Sequence, residues 1–321
     1  MLVAFTIGIC ESSQGGHHKG PRYDPQSYCD VDYCPAGKHN VGCGCDFDAP
    51  FGPGCTGKTA TLHRLTDRDR QLILHEHNLR RNQLACGGLN RFRPAARMVQ
   101  VHWNEELQAL AECNVKNCTY GHDQCRSTER FRYAGQNIAK RTVCGRELKQ
   151  AEVFNGSMNA WFDEYQDTTV AHLANYPAAS PSKPIGHFTL MVNDNVYFLG
   201  CALMSYAVRI DVYFRETGEN CRAYYFACNY SFINLTHQPT YGNGTKPVER
   251  CRARTKNKRY RCLCGEHEPY ATLMDWDERL ISGPTLPKNR LSSICSNWSA
   301  VECTSTRGHP VISSVTLITD V

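Results

Sequence analysis

Gly186-His187-Phe188-Thr189-Leu190-Met191-Val192 runs on through Asn193-Asp194-Asn195 into Val196-Tyr197-Phe198-Leu199-Gly200-Cys201-Ala202, and the chain is organised around this stretch. It sets a histidine in an apolar segment, turns at a polar triplet and enters a β-branched, aromatic run that carries a cysteine. Val196 to Tyr206 reads as a strand, with His187 on an active-site-like loop feeding it. A second strand follows at Arg222-Ala223-Tyr224-Tyr225-Phe226-Ala227-Cys228-Asn229-Tyr230, after a turn at Thr217-Gly218-Glu219-Asn220.

Helices precede these strands. Thr66-Asp67-Arg68-Asp69 is a Ser/Thr-x-x-acid start, and Gly87-Gly88 a stop, so the first helix runs to about Ala85. Ile73, His77 and Leu84 share its buried face, while Arg80, Arg81 and Asn82 are its hydrophilic part. A second helix opens at Asn104-Glu105-Glu106, with acids where the helix dipole favours them and Leu107, Leu110, Ala111 and Asn114 as the inner stripe. A third spans about Arg146 to Gln166, with Phe154, Met158, Trp161 and Tyr165 forming an apolar seam that Glu164 borders. Tyr133 to Ala139 reads as a short extended or turn segment. Helices first and strands last, without βα alternation, predict an α+β chain layered as an α-β-α sandwich.

Composition fits an oxidising compartment. The 321 residues include 19 cysteines, and Asn-X-Ser/Thr sequons occur at Asn117, Asn155, Asn229, Asn234, Asn243 and Asn297. Of these, Asn155, Asn234, Asn243 and Asn297 are the glycosylation candidates. An apolar stretch, Leu2 to Ile9, followed by small and polar residues reads as a signal peptide over residues 1–13, whose removal takes Cys10 and leaves an even cysteine count. Residues 14–62 form a Gly-, Pro- and Cys-rich extension held by bridges. A main domain then occupies 63–235, and a basic, Cys-containing extension fills 236–321. No later segment reaches the roughly 18 apolar residues of a membrane span. The net charge of +5 is modest and says nothing about nucleic acid; secretion argues against that partner.

Four motifs in order resemble the CAP superfamily, the cysteine-rich secretory protein, antigen 5 and pathogenesis-related group. They are His77-Asn78-Leu79-Arg80-Arg81, Gly135-Gln136-Asn137-Ile138, Gly186-His187-Phe188-Thr189 with Gly200-Cys201, and Phe226-Ala227-Cys228-Asn229-Tyr230. The cysteine loop from Tyr28-Cys29 to Cys45, together with Gln136 in place of a glutamate, is similar to the insect antigen 5 branch. The resemblance implies helices on both faces of an antiparallel sheet, a Cys201–Cys228 bridge, and a central cleft lined by His77, Gln136, Glu164 and His187. Cys221 lies close enough in sequence to leave that pairing open. Leu190, Asn193 and Val196 depart from the family signature and are expected to strip polar and aromatic groups from the cleft edge.

That cleft reads first as a structural network in which His77 and His187 hydrogen-bond to Glu164 and Gln136, and second as a weak zinc site through His77, Glu164 and His187, since imidazole nitrogens and carboxylate oxygens suit the ion. The amide of Gln136 is a poor ligand, and no resident cofactor is expected. No Gly-x-Ser-x-Gly elbow is present, and the cysteines have disulfide roles, so a nucleophile is wanting. The leading expectation is a secreted, non-enzymatic binding or effector protein with an unidentified extracellular protein or lipid as partner. One alternative is a sterol or fatty-acid carrier using Tyr197, Phe198, Tyr224, Tyr225 and Phe226 as a groove, although sheet core is the plainer role for these. Another is a metal-dependent or serine-type hydrolase using His77, Glu164 and His187, with Ser157 as nucleophile. Lys246 to Arg261 holds eight Lys or Arg against one Glu249. Arg250, Arg252, Arg254, Lys256, Lys258 and Arg259 there form either a glycosaminoglycan-binding patch or a solvated tail.

Overall fold

The computed structural model describes residues 23–30, 33–89, 91–210, 219–252 and 257–269. Along them lie β1 (Thr61–His63), α1 (Asp67–Ala85), β2 (His102–Trp103), α2 (Glu105–Val115), β3 (Gly135–Cys144), α3 (Gln150–Asp163), α4 (Val170–Ala174), α5 (Gly186–Met191), β4 (Phe198–Ile210) and β5 (Glu219–Tyr230). The strands join in the order β1-β4-β5-β3 with antiparallel pairing, and the short β2 lies parallel to the start of β4. The expected signal peptide at 1–13 lies outside the described residues.

The alternation along β5 sets the layers. Tyr224, Phe226, Cys228 and Tyr230 pack with Phe154, Met158, Trp161 and Phe188 from α3 and α5. Their neighbours Ala223, Tyr225 and Ala227 pack with Ala111 and Val115 of α2. Side chains alternate across a strand, so one strand buried on both sides must sit between two helical layers. The α-β-α sandwich is therefore as expected. Gly200 fits the α2 layer closely, for a Cβ there would lie 2.2 Å from the Gln108 backbone nitrogen.

Several elements differ from their sequence reading. The Gly186 stretch is a helical turn, α5, rather than a loop. β3 runs through Cys144, well past Ala139, because every residue pairs with β5 up to Cys144 opposite Cys221, where a disulfide closes the ladder. α3 starts at Gln150 rather than Arg146, since the Glu152 carboxylate accepts the Lys149 backbone N–H and fixes the cap there. Glu219 and Asn220 belong to β5, while Thr217 and Gly218 lie outside the described residues.

Eight disulfides join the described cysteines. Cys201–Cys228 is among them, and Cys221 pairs with Cys144 instead. Cys34, Cys45 and Cys55 reach Cys125, Cys113 and Cys118, which fastens the N-terminal loops to the end of α2. The C-terminal part is equally continuous with the domain, because Tyr241, Tyr260 and Leu263 belong to the main core. The boundaries at 62/63 and 235/236 thus mark changes of composition rather than of packing.

Arg81, read as hydrophilic, is wholly enclosed at 0% exposure. Its guanidinium donates to the carbonyls of Val99, Met191, Asn193 and Val196 at 2.8–3.2 Å. Burial lowers its pKa to about 10, against the pull of the Asp194 carboxylate, so it stays charged at neutral pH. Arg81→Met leaves four buried carbonyls without these donors, at about 1–3 kcal/mol each. Urea unfolding should show a loss of more than about 3 kcal/mol, with Arg81→Lys in between because three ammonium hydrogens cannot serve four acceptors.

His77 also belongs to the frame. Its Nδ1–H donates to the Ile73 carbonyl at 2.8 Å, and its Nε2 accepts from the Tyr230 hydroxyl at 2.9 Å. Asn137 in turn donates to the Tyr230 oxygen. Both ring nitrogens are spent inside the core, so the expectation that His77 lines the cleft beside His187 is corrected. Burial lowers its pKa to about 3. Between about pH 6.5 and 3 the unfolded chain takes up a proton that the folded chain refuses, so stability falls as pH falls, by about 1.4 kcal/mol per pH unit. His77→Gln should be less stable at pH 7 yet lose less between pH 6.5 and 4, as read from urea midpoints.

Candidate functional site

Two imidazoles flank the outer edge of β3, one from each face of the sheet. The Ile138 carbonyl on that edge accepts from Trp161 Nε1 at 3.1 Å and from the Tyr120 hydroxyl at 3.4 Å. His187 stacks on the Trp161 ring at an interplanar angle of 14°. Asn137, next to Ile138, donates to the His187 carbonyl. On the α2 side His122, two residues after Tyr120, donates through Nδ1 to Gln136 Oε1 at 2.7 Å. The candidate site residues are therefore the His122–Gln136 pair on one face and the His187–Glu164 pair on the other.

Glu164 explains why α5 is a helix. Ile185 at its N-cap has no side-chain acceptor. Glu164 Oε2 instead accepts the Phe188 backbone N–H at 3.0 Å, an N3 donor, from a different segment. The other oxygen, Oε1, accepts His187 Nδ1 at 2.6 Å. That bond makes Nδ1 the donor to the carboxylate. His187 Nε2 is buried and has no hydrogen-bond partner.

Gln136 is fixed just as fully. Its amide nitrogen donates to Asp123 Oδ2 at 2.7 Å and to Asn229 Oδ1 at 2.9 Å. Asp123 is held by Arg126 at 2.7 Å and by Asn114. A glutamate at position 136 would set a carboxylate against Asp123 in a buried place, where like charges repel strongly. The amide is thus the residue that this network requires.

The arrangement does not assemble the expected metal centre. His77 is absent from it, Glu164 uses both oxygens, and His187 Nε2 is the single uncommitted ring nitrogen on that side. Among the described residues the one cluster of three potential ligand residues is Cys251, Cys264 and Glu268, and those cysteines are oxidised to a disulfide. Of the three expected ligands only His187 keeps an uncommitted donor atom, so His77, Glu164 and His187 do not form a zinc centre.

The other candidates fall as follows. Leu190, Asn193 and Val196 are buried in the core rather than at the cleft edge, and Asn193 contributes its carbonyl to Arg81. Ser157 is buried on α3, and Tyr197, Tyr224, Tyr225 and Phe226 are core residues. Asn155 and Asn243 are exposed. Asn234 is buried, with its amide donating to Gly186 O and Thr189 Oγ1, which excludes a glycan there. Asn297 lies outside the described residues, as do Arg254 and Lys256. Arg250, Arg252, Lys258 and Arg259 are exposed.

His122 was missed because Tyr120-Gly121-His122-Asp123 lies in a loop without periodicity. Its histidine beside an acid was the available signal. The Gln136–Asp123 contact yields a direct test. Gln136→Glu should destabilise the protein at pH 7, with one of the two carboxyl pKa values raised. That penalty should shrink as pH falls to about 4 and the raised group keeps its proton. Melting of variant and parent at the two pH values checks this.

Comparison with known proteins agrees with this frame. The family described as "CAP: Cysteine-rich secretory protein family" matches residues 87–230. Venom allergen-1 of Aedes aegypti is 33% identical over 242 residues, covering 75% of this chain and 88% of that protein. Antigen 5 like allergen Cul n 1 of Culicoides nubeculosus is 39% identical over 163 residues, 48% of this chain and 74% of that protein. The crystal structure of Na-ASP-1 shares the fold with a TM-score of 0.50 at 23% identity, over 68% of this chain and 51% of that one. With its two-faced sheet, its cross-strand Cys201–Cys228 bridge and these relatives, the chain belongs to the CAP, or cysteine-rich secretory protein, family.

Proposed function

We propose that this CAP protein works outside the cell as a non-enzymatic binding or effector protein, its cleft residues serving to hold the binding frame. The observation that carries the reading is the double commitment of Glu164. One oxygen caps α5 and the other orients His187, so neither is left to act as a general base. Gln136 stands where a second acid would be needed, and an amide neither takes nor gives a proton at neutral pH. Eight disulfides support an oxidising, extracellular setting.

The lipid-carrier alternative has weaker support. Of the aromatic side chains nominated for a groove, Tyr197, Tyr224, Tyr225 and Phe226 are packed in the core and Phe198 is half-buried against Phe131. An apolar hollow beside α5, lined by Tyr176, Pro177, Pro181, Pro184 and Ile185, holds about 250 Å³. That lies below the roughly 300–1,000 Å³ usual for small-molecule sites.

The test is a panel of ester and peptide substrates, run with added zinc and with chelator, on the parent and on His187→Ala. The expected result is no turnover that the substitution removes, together with a lower melting temperature for the variant. Turnover abolished in His187→Ala would overturn the reading. Native mass spectrometry of the purified protein should give the polypeptide mass, with attached sugar but no lipid.

A further inference from the structure

The basic C-terminal run is a doubly stapled loop. Cys251–Cys264 closes it, and Cys86–Cys262 fastens its far side to the end of α1. Polar contacts seat it further. The Tyr260 hydroxyl lies 2.9 Å from His75 Nδ1, Cys262 N–H donates to Asn82 Oδ1, and Cys264 N–H donates to the Met98 carbonyl. Asn257 Oδ1 accepts the backbone N–H groups of Arg259 and Tyr260, shaping the turn, while its amide donates to Gln100. Lys258, Arg259 and Arg261 are therefore displayed from an ordered turn rather than from a tail.

The charge on this loop is one-signed. Between Cys251 and Cys264 the sequence carries six Lys or Arg and no acid. Arg250, Arg252, Lys258, Arg259 and Arg261 are exposed. Arg259 rests over Tyr260 and beside His75. Among the described residues no carboxylate is in ion-pair contact with any of the five. The nearby acids form no ion pair with these cations. Glu268 is buried against Arg97 at 2.7 Å and accepts the Arg252 backbone N–H. Glu249 accepts from Thr245 and feels the charge of Arg250 without pairing with it, and the exposed Glu266 acts on His102.

We propose that this loop is a docking surface for a sulfated polysaccharide. The proposal deepens, and rests on, the reading of an extracellular binding protein. Guanidinium forks match sulfate oxygens as they match phosphate, and several fixed cations on one short loop suit a linear polyanion. The two disulfides hold the described parts of the loop in advance, which lowers the entropy lost on binding. An acidic membrane is the poorer partner, because the apolar side chains of the described loop, Tyr260 and Leu263, are buried and none is left to enter the acyl boundary.

The experiment compares heparin binding by the full chain, by Arg250→Ser/Arg252→Ser/Lys258→Ser/Arg261→Ser, and by Lys38→Ser/Arg64→Ser/Arg68→Ser/Arg146→Ser. The last is a control with the same charge change at exposed positions elsewhere. The loop variant should bind at least about tenfold more weakly at 0.15 M salt, and its log–log salt slope should fall by roughly three to four. The control should keep most of its affinity. Thermal melts confirm that each variant is folded. Equal weakening of both variants, or of neither, overturns the proposal. So does loss of binding to phosphatidylserine vesicles with heparin binding intact, which would assign the loop to membranes. Any of these results leaves the substrate-panel test standing, and turnover in that panel would leave this one standing.

Discussion

A single buried cation organises the CAP frame. Arg81 reaches from α1 to the carbonyls of Val99, Met191, Asn193 and Val196, so one guanidinium ties the first helix to the end of α5 and the entry to β4. Its position at the C-terminal end of α5 also suits the partial negative charge of the carbonyls there. The cost of burying such a charge is offset only when its N–H groups find acceptors in good geometry. Once they have, the backbone from Met191 to Val196 has little freedom left, and His187 and the start of the central strand are set in place together.

Everything at the cleft follows from that placement. With α5 held at its C-terminal end by Arg81 and at its N-terminal end by Glu164, His187 has one orientation, flat against Trp161. Trp161 and Tyr120 both donate to the carbonyl of Ile138, and so occupy the outer edge of β3. An unpaired strand edge is a template for another chain, and side chains that bond to it from both faces block that pairing. The same residues that resemble a reactive cleft thus also protect the sheet.

The sequence revealed local structure where the signal was local. The Thr66/Asp69 capping box, the Asn104 cap and the apolar seams of α1 and α3 were all readable within a few residues, and the structure has them. α5 was not readable, because six residues without their own cap become a helix only when Glu164 arrives from another segment. Arg81 looked like a surface residue because its four acceptors lie 18 to 115 positions away. His77 was read into the cleft, and His122 was not read as a site residue, for the same reason. Only the packed sheet decides which imidazole faces inward. Asn234 carries a good sequon, yet its side chain is bonded beneath α5.

The disulfide pattern has one more consequence, for what a protease can achieve. The bridges Cys29–Cys43, Cys34–Cys125, Cys86–Cys262 and Cys251–Cys264 overlap end to end. Every peptide bond between Cys29 and Cys264 is therefore spanned by at least one of them. A single cut anywhere in that interval releases no fragment, because the two pieces stay covalently joined and the sheet still holds them in register. Damage of this kind would go unseen until a reductant separated the pieces. In a fluid rich in peptidases, such a chain would stay whole in shape after ceasing to be continuous in sequence.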